Sequence, residues 1–300
     1  LENQAQEMFK PREVQLKTKV KYIPFNIASR KQIAERLEEL GWKPTKFTDK
    51  GNIIVSEEIL DTINMKEAKM FSRYFLLQKR TGLIKAWIEA CQDDDKVRGR
   101  VMTLRTITGR MAHNSPNMAQ VPAVYSPYGK ECRSLWTISN PDTHVLIGTD
   151  ASGLELRCLA HYMNDPDFTN EVLNGDVHTA NMKAAGLTDR DQAKTFIYAF
   201  LYGAGPSKIG KVVGGSAKEG QQLITQFLRN MPRLKELREN VVEASQTGTI
   251  KALDGRLLHI RADYASLNTL LQGAGAIICK QWLVHITERI RKLGVDAKLV

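Results

Sequence analysis

The 300-residue chain carries 43 Lys and Arg against 33 Asp and Glu, a formal charge of +10, and 42% of its residues are hydrophobic. That apolar content over that length suits a large core shared by two or three subdomains, and the lack of any 18-residue apolar run argues against a membrane span. Residues 1–130 hold 23 basic and 15 acidic side chains, a net +8, which points to a phosphate-bearing partner or, equally, to a solvated basic face.

The opening Leu1-Glu2-Asn3-Gln4 has neither an initiator Met nor the apolar core of a signal peptide, so the chain reads as a cut made inside a longer protein. Residues 1–25 are polar and basic without a sustained period, as in an extended lead-in. A helix is predicted over 29–40, with Ser29 as N-cap, Ile33, Leu37 and Leu40 on one stripe, and Gly41 just past its end. A second spans 66–90, with Met70, Tyr74, Leu77 and Ile84 within it. Residues 93–95 and Gly99 mark a turn, and Gly109, Pro116, Pro122 and Pro127 predict a largely irregular stretch. Irregular segments of such length are functional or disordered.

The run Val145, Leu146, Ile147, Gly148 predicts a strand delivering Asp150 at its tip, with a turn at Ser152-Gly153 and a helix beyond. Leu156, Leu159, Ala160 and Met163 follow at helical spacing. A carboxylate at a strand tip with the Ala151 carbonyl beside it suits a hard cation. Ser152 and Glu155 equally fit an S-x-x-E capping box, which would make the segment an ordinary capped helix.

The pattern becomes helical again from Asp165, with Thr188 or Asp189 capping a helix over 190–202, a second capping-box match at Ser216 and Glu219, and Pro232 suited to open another helix. Two strands, 249–253 and 256–261, flank the hairpin signal Asp254-Gly255. A long helix over 265–293 stops at Gly294, and 295–300 reads as the start of a further strand. Cys91, Cys132, Cys158 and Cys279 form no C-x-x-C pair and are expected to be buried free thiols. The stretch 205–211 matches G-x4-G-K, but Val212 replaces the metal-binding Ser or Thr and a helix precedes it, so a phosphate loop is rejected. His113, His144, His161, His259 and His285 make no H-x3-H pair.

Arg190, Lys194 and Tyr198 recur at i, i+4 and i+8, a spacing that aligns them along roughly 12 Å of one helix face. Two cations and then an aromatic ring match a triphosphate followed by a base, although a solvated basic stripe with a half-buried tyrosine has the same pattern.

The segment Asp150-Ala-Ser-Gly-Leu-Glu155-Leu-Arg157 resembles motif A of the family A DNA polymerases, and the run from Arg190 through Lys194 and Tyr198 to Tyr202-Gly203 resembles motif B. The likeness extends through 29–50, Thr108-Gly109-Arg110, residues 116–120, Gly175-Asp176-Val177-His178 and residues 267–272. It is closest to the replicative enzymes of T-odd podovirus phages. The resemblance implies an α+β, right-hand fold of palm, fingers and thumb, with a small antiparallel palm sheet and mostly helical fingers and thumb. Residues 1–107 would be thumb and approach to the palm, 108–164 and 250–300 palm, and 165–249 fingers.

It further implies template-dependent addition of dNMP to a primer 3′-OH, using two magnesium ions on Asp150 and the Ala151 carbonyl. One ion would activate the attacking oxygen and the other would steady the pyrophosphate leaving group, with Lys194 supplying charge or a proton. Glu155 would exclude a ribose 2′-OH. His178, Arg190 and Lys194 would hold the dNTP triphosphate, Tyr198 would lie by the sugar and base, and Tyr202 and Gly203 would shape the templating side. Arg110 and Gln120 would contact primer-template DNA, and Asn268 with Gln272 would test pair shape in the minor groove.

Two departures stand out. Tyr264 occupies a position where the family often has Arg or His, and no His-Asp-Glu of motif C follows Gln272. The second metal-binding aspartate is therefore expected past Val300, and the 300-residue span is expected to be inactive alone. A single-subunit RNA polymerase and a non-catalytic primer-template module are the alternatives. A processivity factor would bind outside these residues, and the setting would be the cytoplasm of a phage-infected bacterium.

Overall fold

The computed structural model describes residues 25–48 and 50–299, so the lead-in expected over 1–24, together with Asp49 and Val300, lies outside the described residues. The chain divides into two compact units, Leu1–Glu89 and Ala90–Val300.

In the first unit, helix α1 (Arg30–Glu39) begins where the Ser29 hydroxyl accepts the Gln32 N–H at 3.4 Å. It ends at Leu40, followed by Gly41 at φ +96°, a left-handed conformation that favours glycine. Ile33 and Leu37 are buried as expected, but Leu40 is exposed because it is the cap residue rather than part of the helical stripe. Helix α2 (Glu57–Thr62) is capped by Ser56, and α3 spans Lys66–Ala90. The buried residues of α3 are Ala68, Phe71, Phe75 and Trp87, whereas Met70 and Leu77 face outward. Ala68, Phe71 and Phe75 repeat at three and four residues and close a core with Ile33, Leu37, Leu60 and Ile63.

The second unit opens with the antiparallel pair β1 (Arg100–Met102) and β2 (Ala112–Asn114), in which Val101 faces His113. Around this pair the chain is largely irregular, as its Gly and Pro content predicts, apart from the short helix α4 (Gly129–Ser134). Helices α5 (Leu154–Met163), α6 (Pro166–Asn174), α7 (Val177–Ala185), α8 (Arg190–Leu201), α9 (Pro206–Val212), α10 (Ala217–Asn230) and α11 (Pro232–Ala244) follow. The hairpin β3 (Thr249–Lys251) and β4 (Leu257–His259) and the long helix α12 (Ser266–Leu293) complete the unit. Both sheets are two-stranded and antiparallel, so the class is α+β.

Local chemistry sets most of these boundaries. Asp189 accepts the Gln192 N–H at 2.8 Å to start α8, Ser216 and Glu219 form the reciprocal capping box of α10, and Pro232 opens α11. Gly294 at φ +62° ends α12. At the hairpin tip the Gly255 N–H reaches the Ala252 carbonyl at 2.9 Å, with Gly255 itself at φ +86°, giving a three-residue loop.

The main core joins Leu156, Leu159, Ala160 and Met163 of α5 to Phe196, Ile197 and Phe200 of α8, Phe227 of α10, and Leu271 and Ala274 of α12. Phe196 and Phe200 both meet Phe227 edge-on, with ring centroids 5.0 and 5.6 Å away. Where α9 packs against α10, a Cβ on Gly210 would lie 1.9 Å from the Ser216 carbonyl oxygen, and one on Gly220 would lie 2.0 Å from that of Pro206. The rejected G-x4-G-K stretch thus forms a helix closely packed on its neighbour.

Several expectations fail. Residues 145–148 form no strand, and Val145, Leu146 and Ile147 are 75%, 61% and 82% exposed. A strand needs a neighbour to take its N–H and C=O groups, and among the described residues the only sheets are β1-β2 and β3-β4. Residues 295–299, expected to begin a strand, are likewise unpaired. Cys132 and Cys158 are buried, but Cys91 is exposed and Cys279 only half-buried. Among the described residues, no helix is long and apolar enough to cross a membrane.

Candidate functional site

The start of α5 decides the first question raised by the sequence. The helix opens on Gly153 in the left-handed region with no side-chain cap, so the Ser152 and Glu155 capping box does not form. Glu155 turns elsewhere. Arg110 Nη2 donates to its Oε1 at 2.6 Å and the Tyr202 hydroxyl donates to its Oε2 at 2.7 Å. The Glu155 side chain is only 14% exposed, and both oxygens are engaged by charge-assisted or phenolic donors. Burial and the bond to Glu155 push the Tyr202 phenol up to about 12. Three residues assigned by resemblance to separate tasks therefore share one carboxylate.

A line of rings leads away from it. Tyr202 and Tyr198 lie 6.4 Å apart between centroids, and Tyr198 and His178 lie 6.1 Å apart. Burial, then the nearby Glu155, raises the Tyr198 phenol. Burial lowers the His178 imidazole, with Arg190 and Lys194 adding to the effect, and its buried Nδ1 has no hydrogen-bond partner among the described residues.

Helix α8 buries Ala193, Phe196, Ile197, Phe200 and Leu201, leaving Arg190 and Lys194 exposed and Tyr198 half-buried on the other side. The predicted stripe is therefore present. Lys194 has no hydrogen-bond or ion-pair partner among the described residues, but Arg190 is held: its Nε and Nη2 meet the Asp176 carboxylate at 2.7 and 3.0 Å. The sequence reading did not assign Asp176 a role. Its signal was an N-cap aspartate directly before Val177-His178, a position now filled by bonds from the His178 and Thr179 N–H groups at 3.1 and 3.3 Å.

Gly203 follows α8 at φ +75°, and a Cβ there would lie 2.5 Å from the Tyr264 carbonyl oxygen. Tyr264, noted as a departure, thus packs its backbone on Gly203 and leaves its side chain exposed. On α12, the half-buried Gln272 and Asn268 meet, with Gln272 Nε2 donating to Asn268 Oδ1 at 2.9 Å. Gln120 ends a short 3-10 turn, exposed.

Asp150 lies exposed in irregular chain with no bonded partner among the described residues, not at a strand tip. The Ala151 carbonyl accepts the Leu154 N–H at 3.2 Å. Among the described residues no group of three or more His, Cys, Asp or Glu could hold a metal ion. One carboxylate and one engaged carbonyl do not make a two-ion site, which needs several hard oxygens for each ion.

The family model for DNA polymerase family A matches residues 1–300. The chain belongs to this family. This family A chain is 42% identical to the DNA-directed DNA polymerases of Enterobacteria phage T3 and Escherichia phage T7, over 93% of its own length and 44% of theirs. It is 28% identical to DNA polymerase I of Helicobacter pylori strain J99, over 90% of this chain and 32% of that protein. The chain thus spans less than half the length of these relatives. Its fold matches a solved POL domain of Pol1 from M. smegmatis, in complex with DNA primer-template and dNTP. The TM-score is 0.78 at 19% identity, covering 91% of this chain and 52% of that one. The α+β polymerase fold expected from the motifs is therefore present.

Proposed function

We propose that this chain is the polymerase portion of a phage DNA-directed DNA polymerase, adding dNMP to a primer 3′-OH on a template strand. The observation that carries the reading is Glu155, fixed on both oxygens by Arg110 and Tyr202 beside the Arg190, Lys194, Tyr198 face. A carboxylate pinned from two sides cannot swing away from a sugar lying against it, so a 2′-OH meets an occupied, negatively charged wall. The phage relatives are DNA-directed DNA polymerases, and the fold match was solved with primer-template and dNTP. Both favour this reading over an RNA polymerase or a non-catalytic module.

In the proposed mechanism His178, Arg190 and Lys194 receive the triphosphate. Tyr198 lies by sugar and base, and Lys194 offers its ammonium charge or a proton to the departing pyrophosphate. Tyr202 and Gly203 bound the templating side, while Arg110, Gln120, Asn268 and Gln272 face the duplex. Family membership makes magnesium the expected partner of Asp150 and the Ala151 carbonyl, although among the described residues the oxygens beside them are too few to hold two ions. Thumb (1–107), palm (108–164 and 250–300) and fingers (165–249) complete the proposal, as does a setting in the infected host's cytoplasm. A processivity factor would engage residues outside this span.

The test is Glu155→Ala in the full-length enzyme. The preference for dNTP over rNTP should fall by about tenfold or more, with weaker dNTP use. An unchanged preference in steady-state incorporation assays would remove Glu155 from the sugar.

A further inference from the structure

Asp176 does two things at once. It caps α7 through the His178 and Thr179 N–H groups and the Thr179 hydroxyl, and it grips Arg190 from across a 14-residue separation with paired bonds of 2.7 and 3.0 Å. The capping bonds place the carboxylate independently of Arg190, so it serves as a fixed post on which a long, flexible side chain is held. The fork uses Nε and one N–H of Nη2. Three of the guanidinium's five N–H groups remain for another acceptor.

We propose that Asp176 is a positioning residue for the incoming nucleotide, holding the Arg190 guanidinium with its free N–H edge toward the triphosphate. This rests on the reading of α8 as the nucleotide-gripping helix. A competing role, in which Asp176 occupies Arg190 and must be displaced by the phosphates, predicts the opposite response to neutralisation. Two features favour positioning. The fork leaves Nη1 unengaged by Asp176, and the capping bonds hold the carboxylate on the backbone of α7, the helix that also carries His178. Arg190 also lowers the Asp176 carboxyl well below the usual carboxylate range, so the carboxylate is ionised at neutral pH.

Asp176→Asn separates the two duties, because asparagine caps a helix about as well as aspartate but offers only one acceptor oxygen and no charge. In the full-length polymerase it should raise the half-saturating dNTP concentration about tenfold, with kcat changed by less than about twofold and Tm held. Primer-template affinity without nucleotide should stay the same. Arg190→Ala should raise the dNTP requirement at least as far, and the double variant should match Arg190→Ala, since the aspartate acts only through that arginine. Asp176→Ala, which also loses the cap, should add a fall in Tm.

If Asp176→Asn leaves the dNTP requirement unchanged or lowers it while Arg190→Ala raises it, the positioning role is overturned and the nucleotide reading of α8 stands. Independent, additive effects of the two substitutions overturn it as well. A flat response to Arg190→Ala itself would bring down the reading of α8, and this inference with it.

Discussion

Glu155 and Ile147 are eight positions apart, yet the chain treats them differently. Glu155 enters a packed assembly in which both carboxylate oxygens have donors and the helix that carries it is buried against Phe196, Phe227 and Leu271. Residues 141–150, just upstream, are exposed throughout, form no strand, and end in Asp150, which has no bonded partner among the described residues. Helices explain the contrast. Each satisfies its own backbone and needs neighbours only for one apolar face, whereas an extended segment depends on another strand for every second N–H and C=O. Glu155 thus has its position fixed by neighbours from two other segments, whereas Asp150 has no such neighbour among the described residues.

The largest effect that can break this comparison is catalytic. If one isolated carboxylate cannot organise the reaction, the 300-residue span should bind primer-template, more weakly as salt rises, yet extend it at least about a thousandfold more slowly than the full-length enzyme. Robust extension by the purified span would show that Asp150 has enough company already.

Stability gives the next contrast. Phe227, fully buried between two aromatic rings, should cost about 3 to 5 kcal/mol on truncation to alanine, while Ile147→Ser in the same span should stay within about 0.5 kcal/mol. Denaturant midpoints of the two variants measure this. A large loss from Ile147→Ser would mean that the upstream segment is packed after all.

The smallest effect sharpens the comparison at the level of caps. Ser216→Ala should cost about 1 kcal/mol because its capping box is formed. Ser152→Ala, in the same sequence pattern with no cap formed, should be nearly neutral by the same thermal or chemical denaturation. Equal losses at both positions would restore the capping-box reading of Glu155.

These pairs also show what was legible in the chain. Ser29, Asp189, Ser216, Pro232 and Gly294 announced their helix ends because caps act within a turn. The buried face of α5 followed from its spacing. The bonds of Glu155 to Arg110 and Tyr202 span 45 and 47 residues, and the Asp176 fork depends on how two helices pack, so local pattern could not reveal either. The strand at 145–148 was misread for a related reason. Its Val, Leu and Ile have strand character, but a strand is a property of a pair, and composition says nothing about whether a partner lies alongside.

Gly210 and Gly220 have a mechanical consequence. With no side chains at the crossing, the backbones of α9 and α10 bear on one another directly, leaving no compressible layer for the two to slide over. A lever gains stiffness when its joint has no lining. A side chain added at either glycine would have to prise the two backbones apart before these helices could meet.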